Sequence, residues 1–350
     1  MGLYWTAAAA LLACAAIPEA DAAQAKSRKK SPKPAVTRPA AADPAAELNL
    51  ITEETAQTER KLAANPRNEG LRQRHADLAI RAASGLERVL ATGDDTLAEA
   101  YREVLVKRFT TVRPRIRRMA DSRNGEAAHA LAVFALHGIV EPQNTDVACA
   151  YFEHAVSTGF NGARLRTAQC LAQREPKRSA SLLRAAADTG NPWALELIGR
   201  ECLEASPTDA VCAGEMLLGA AVAGRPSAQG LLGWMLAQGI GNPPDLPRAA
   251  RLYRQAAEKG VASAQNNLGE LYESGRGIPV SAVDAINWYR KSAEAGFAPG
   301  QFNYGRALAG GLGGTADFLS ARAWLAKAEA GGVAEARKVL DWMDRQQKTD

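Results

Sequence analysis

The chain has 350 residues, 47% hydrophobic and only 6% aromatic, with a net charge of +5. Six cations (Lys26, Arg28, Lys29, Lys30, Lys33 and Arg38) against Asp43 make residues 26–45 locally +5. Glu19 and Asp21 make the first 25 residues −2, and the rest of the chain sits at +2. A near-neutral body excludes a nucleic-acid binder with a basic folded face, and no apolar run reaches the ~18 residues of a spanning helix.

Residues 1–25 read as a secretory signal peptide. The apolar run from Leu3 to Ile17 is followed by Pro18 and by the small-x-small triplets Ala20-Asp21-Ala22 and Ala23-Gln24-Ala25. The expected location is therefore exported and periplasmic. Leu11-Leu12-Ala13-Cys14 resembles the bacterial lipobox, so the alternative is an outer-membrane lipoprotein with its lipid on Cys14. Residues 26–45 follow as a basic Pro/Ala linker, too charged and too poor in large apolar groups to fold. Its basic tract at 26–38 has the chemistry to dock on an anionic envelope polymer or lipid.

Residues 46–124 are a helical N-terminal region. Helices are expected over 46–64, 69–92 and 96–108, with Asn65-Pro66-Arg67-Asn68 between the first two. The cations Lys107, Arg108, Arg113, Arg115, Arg117, Arg118 and Arg123 form the one concentrated charge run of the body, a candidate surface for an acidic partner or polysaccharide.

The rest of the chain repeats. Gly224, Gly260, Gly296 and Gly332 are spaced by 36. Before each runs one helical phrase, such as Ala249, Leu252-Tyr253 and Ala256-Ala257, whose spacing lines one face of a helix. Looser copies lead to Gly159 and Gly190. Each glycine is expected as a C-cap. Asn144, Glu175, Asp209, Asp245, Ser281 and Asp317 stand at the N-cap position of each copy, and five of the six are good capping residues. A preceding helix carries Leu232-Gly233, Leu268-Gly269 or Tyr304-Gly305. Its mid-helix glycine is explained by close approach of the neighbouring helix.

The phrase from Ala264 to Ile278, AQNNLGELYESGRGI, followed by AINWYRKSAEAG ending at Gly296, resembles the Sel-one-like repeat of the tetratricopeptide-like superfamily. The resemblance is close for 225–332 and recognisable for 126–224. It implies an all-α fold, a right-handed αα superhelix (solenoid) of about six helix pairs over 125–350, with 46–124 as an N-terminal helical cap and the helix from Ala334 as a C-terminal cap. It also implies a surface that binds proteins or peptides. Exported members act in envelope complexes, including exopolysaccharide secretion. In the repeat register Cys149 and Cys170 fall at one pole of an antiparallel neighbour pair, and Cys202 and Cys212 at one pole of another. The expected disulfides are therefore Cys149–Cys170 and Cys202–Cys212. The loops near Arg174 and after Ala194 depart from the repeat's glycine pattern.

No nucleophile elbow, HExxH or phosphate loop occurs. Gly310-Gly311-Leu312-Gly313-Gly314 falls in an inter-helix loop with no Lys-Ser/Thr after it. No catalytic residue, metal ligand, cofactor or small-molecule substrate is assigned. The expected function is a non-enzymatic scaffold. An exported hydrolase decorated with repeats would need its constellation in 46–124, where His75 is the single histidine. Partner contacts are expected on the concave face of the first helices of each pair, at positions three before and one after the mid-helix glycine. These positions give Arg200, Trp234, Asn266, Glu270, Phe302 and Arg306. Trp234 and Phe302 stand out because exposed aromatics anchor interfaces.

Overall fold

The computed structural model describes residues 43–92, 94–139 and 141–346. The signal peptide, Cys14, the basic tract 26–38 and most of the 26–45 linker lie outside the described residues. The N-terminal region forms α1 (Pro44–Ala64), α2 (Glu69–Thr92), α3 (Asp95–Arg108) and α4 (Arg113–Asp121). The first helix starts inside the segment read as linker. Asp43 accepts from the Ala45 N–H at 3.1 Å, and Pro44, with its preset φ, occupies the first turn.

Six antiparallel pairs follow: α5 (Gly125–His137) with α6 (Thr145–Ser157), α7 (Arg164–Leu171) with α8 (Pro176–Asp188), and α9 (Pro192–Glu204) with α10 (Ala210–Val222). Then come α11 (Pro226–Gln238) with α12 (Leu246–Glu258), α13 (Ala262–Ser274) with α14 (Ala282–Glu294), and α15 (Ala298–Ala309) with α16 (Phe318–Ala330). The unpaired α17 (Glu335–Gln346) closes the stack. Each helix packs on the next in sequence, so the architecture is a solenoid of helix pairs. Among the described residues there is no strand.

Local chemistry sets the period. Asn144, Asp209, Asp245, Ser281 and Asp317 each accept from the backbone N–H three residues on, at 3.0–3.2 Å, while Glu175 makes no side-chain cap bond. Gly260 (φ 85°) and Gly296 (φ 82°) end α12 and α14 in the left-handed region, where a Cβ is strained. The mid-helix glycines mark contact points. A Cβ on Gly269 would lie 2.7 Å from the Tyr289 ring, and one on Gly305 would lie 2.8 Å from Leu325 Cγ. With alanine and glycine at the seams, backbones approach closely and few aromatics fit. The C-terminal α17 buries Ala336, Leu340 and Met343 and turns charged residues outward, as the end of a repeat array must.

The N-terminal region is not separated from the array. One apolar core runs from Leu48 on α1 through Tyr101, Ile116 and Leu131 to Phe152 and Ala163. The boundary drawn at 124 therefore divides a continuous core. The cationic run is part of the fastening. Arg108 bonds Glu59 on α1 (2.6 Å), Arg113 bonds Glu141 (2.7 Å), Arg115 bonds Glu69 on α2, and Lys107 bonds Glu103. Four of its seven cations are thus held by carboxylates of the same chain. At the junction with the array, Glu87 on α2 receives two bonds from Arg166 on α7 (2.7 and 3.1 Å) and faces His137 on α5 at 3.3 Å. Burial pushes the Glu87 carboxyl up, but His137 and Arg166 outweigh it and hold it down at about 2.

Nearby His129 is buried between Phe152 and Phe160, with ring centroids 5.6 and 5.1 Å away and no partner for Nδ1. Burial holds its pKa at about 4, against an opposing pull from Glu87. The folded state thus resists the proton that the unfolded chain accepts near pH 6.5. Stability present above that pH is lost as pH falls toward 4, by about 3 kcal/mol. Glu87 extends the loss below pH 4.5. Thermal melts from pH 7 to 4 should show this decline, and His129→Leu should flatten its upper part. An unchanged profile in that variant would assign the acid sensitivity to another group.

Candidate functional site

The two register positions on the first helices of each pair face different surroundings. The position three before the glycine points at the next repeat. There Leu165 packs with the α7–α9 core, and Glu196 is 3% exposed and bonded toward α11. Asn266, assigned by register to an open face, is instead buried. The next first helix, α15, packs directly on α13, and Asn303 donates to Asn266 Oδ1 at 2.9 Å. Phe302 packs against the α15–α17 core and is half-buried.

The position one after the glycine is the more open one. It reads Gln169, Arg200, Trp234, Glu270 and Arg306, of which Gln169 and Glu270 are exposed and the other three half-buried. Trp234 lies against the apolar clusters of both α9–α11 and α11–α13, with part of its surface left open. These five residues hold one register position on five successive first helices, α7, α9, α11, α13 and α15.

Polar bridges between successive first helices hold that row in place. Glu196 takes Arg225 Nε at 2.5 Å, Ser227 Oγ at 2.7 Å and Arg200 Nη2 at 2.9 Å, and the Arg225 guanidinium lies 3.7 Å over the Trp193 ring. Burial pushes the Glu196 carboxyl up, but the bonds from Arg225 and Ser227 bring it below the usual range. Glu273 accepts from Tyr289 OH and from Arg306 Nη2, both at 2.7 Å. Glu270 Oε1 accepts from Asn266 (2.8 Å) and Asn303 (3.1 Å). Beyond Arg306 the row ends in a shallow depression of about 320 Å³, lined by Arg306, Ala309, Gly310, Lys338, Val339 and Trp342.

Asn303, Glu273 and Arg225 lie outside the two register positions read from the sequence. Asn303 stands two before Gly305 rather than three, and Arg225 precedes its helix, so neither falls at the two positions assigned to the open face.

Among the described residues, no group of three or more His, Cys, Asp or Glu is arranged to hold a metal ion. No described helix is long and apolar enough to cross a membrane. His75 is 6% exposed, its ring 5.2 Å from Phe109 and its Nε2 3.8 Å from Glu59. Burial lowers its pKa. Its environment is core packing between α2 and the end of α3.

The structure joins Cys149 to Cys170 and Cys202 to Cys212, with Cα atoms 5.7 and 5.9 Å apart, the pairing expected from the register. Structural disulfides belong to oxidising compartments. The bonds tie α6 to α7 and α9 to α10, around the two repeats whose loops depart from the glycine pattern.

The Sel1 repeat family model matches residues 125–157, 226–261, 262–297 and 298–333, and leaves 158–225 between them unmatched. Those are the pairs α5/α6, α11/α12, α13/α14 and α15/α16, and the unmatched stretch holds the two irregular repeats. No curated protein matches the chain. Among solved structures, it is 20% identical to a protective antigen of uropathogenic Escherichia coli strains displaying an SLR fold, with a TM-score of 0.64, over 87% of this chain and 73% of that one. It is 23% identical to a Sel1 repeat protein from Oxalobacter formigenes, with a TM-score of 0.56, over 63% of this chain and 92% of that one. These likenesses establish the fold. The chain carries four Sel1 repeats, at 125–157 and across 226–333, on a helical solenoid.

Proposed function

We propose that this chain is a non-enzymatic exported scaffold of the bacterial envelope, which binds a protein or peptide along the concave face of its solenoid. The observation that carries the reading is the row Gln169, Arg200, Trp234, Glu270 and Arg306, in which Glu270 and Arg306 are bonded across successive repeats and Arg200 is held by Glu196 of its own helix. A row of pre-ordered side chains gives an extended partner many contacts at low entropic cost. Sel1 repeats form protein-interaction scaffolds, and this row supplies such a surface. Export is supported by the signal-like pattern of residues 1–25 and by the two disulfides.

Trp234→Ala should lower capture of the natural partner in envelope extracts by about tenfold, the effect of losing an aromatic anchor, while far-ultraviolet circular dichroism stays unchanged. Val222→Ala and Leu319→Ala, at exposed positions on the second helices of their pairs, should leave capture intact. Loss of capture from those two variants and not from Trp234→Ala would overturn the reading.

A second reading, a lipid-anchored outer-membrane component of an exopolysaccharide secretion complex, is favoured by the lipobox-like Leu11-Leu12-Ala13-Cys14. Intact mass of the mature protein separates the two. A diacylated Cys14 supports the anchor, and an amino terminus near Lys26 supports a soluble periplasmic protein.

A further inference from the structure

Along the open row and its bridges, most charges are neutralised inside the protein. Arg200 and Arg225 share Glu196, and Arg306 is bonded to Glu273. Glu270 is the exception. It has no ion-pair partner among the described residues, although its side chain is held in one orientation. Both amide bonds, from Asn266 and from Asn303, arrive on Oε1. Oε2 accepts none among the described residues. The charged and titratable groups around it are Arg306, already on Glu273, and the phenols of Tyr253 and Tyr289.

Two amides from successive helices thus fix an exposed carboxylate whose second oxygen is unused. Such a group does little for the fold, because a neutral residue would pack as well at an exposed position. Trp234 occupies the same register position one repeat earlier, on a neighbouring first helix, with part of its ring open. Trp234 packs against an apolar cluster to which α13 contributes Leu268 and Leu271, the residues on either side of the Glu270 turn, so one long side chain lying across that cluster would meet both the ring and the carboxylate. An aromatic face next to an unpaired carboxylate complements a cation in both charge and shape.

We propose that the α11–α13 section of the face receives a lysine or arginine side chain of the protein partner, with Glu270 Oε2 as its counter-ion and the Trp234 ring as its wall. The inference rests on the protein-binding reading above and names the chemistry of the partner. The cationic preference belongs to this section, since in the α9 section the carboxylate of Glu196 is already engaged by Arg200 and Arg225.

The probe is an array of synthetic 15-residue peptides with varied flanks, the central residue being lysine, arginine, norleucine, citrulline or glutamate. The full chain should retain the lysine- and arginine-centred sets about tenfold more than the uncharged ones, the scale of a partly desolvated charge pair. Glu270→Gln, which keeps an oxygen for the two asparagine amides, should erase that preference without changing the melting temperature. Equal retention of charged and uncharged sets, no retention of the cationic sets, or a preference that survives Glu270→Gln would each overturn the proposal. Natural-partner capture that fails in Trp234→Ala but is untouched by Glu270→Gln would sink the cation assignment and leave the protein-binding reading standing. Capture untouched by either variant would sink that reading too.

Discussion

Replacing both cysteine pairs, as Cys149→Ser/Cys170→Ser and Cys202→Ser/Cys212→Ser, should destabilise the chain by about 6 kcal/mol in sum, about 3 kcal/mol for each pair. The figure follows from loop closure over separations of 21 and 10 residues. The more specific expectation is where the loss falls. Stability in a repeat array is a sum of local terms and neighbour interfaces. Both bonds lie between residues 149 and 212, and the repeats at 226–333 contain no cysteine. Amide hydrogen exchange should therefore quicken across 145–222 and change little from α12 onward. The bonds stand in for the loop grammar that this stretch lacks, with α7 shortened to eight residues and the glycine turn missing after α9. A uniform increase in exchange, or none, would show that they do not staple the irregular repeats.

The buried knot at Glu196 should give the largest single-residue effect. Arg225→Ala would leave a carboxylate that is 3% exposed with Arg200 and Ser227 alone, and would strip the cation from the Trp193 ring. Breaking a buried pair in this way costs about 3–5 kcal/mol. Replacing both partners, as Glu196→Leu with Arg225→Met, should recover most of that loss, because no charge is then stranded. Denaturant unfolding of the single and double variants forms the test. A double variant as unstable as Arg225→Ala would mean that the knot acts through packing. The pair also responds to acid. Its carboxyl lies below the usual glutamate range, so the stability it contributes is present above that range and lost as pH falls through the lowered value.

Much of this architecture was legible in the letters because the repeat is built from local rules. Cap residues sit at the helix starts, glycines sit at the left-handed ends, and Leu-Gly or Tyr-Gly pairs recur every 36 residues where Tyr289 or Leu325 presses on a glycine. The cysteine pairs followed from the same register. The helix α4 did not show, because RPRIRRMAD buries only Ile116 and Ala120, too few apolar positions for a period. The continuous core across residue 124 was hidden because tertiary contact between α2 and α5 leaves no periodic trace. For the candidate site, the register assigned two positions on each first helix to an open face. It could not tell which of two positions faces out, because that depends on how closely α15 lies on α13. Asn266 is buried against Asn303, Phe302 and Trp234 are each half-buried against apolar clusters, and Glu270 is exposed.

Site-specific photo-crosslinking in the producing cell tests the partner-binding face most directly. A benzophenone amino acid would be placed at Gln169 or Arg306 on the open row, and at Val222 or Leu319 on exposed second helices. Adducts to one partner protein from residues 169 and 306, and none from 222 and 319, are the expected result. Adducts confined to 222 and 319, or equal from all four positions, would contradict a scaffold that works through its first helices.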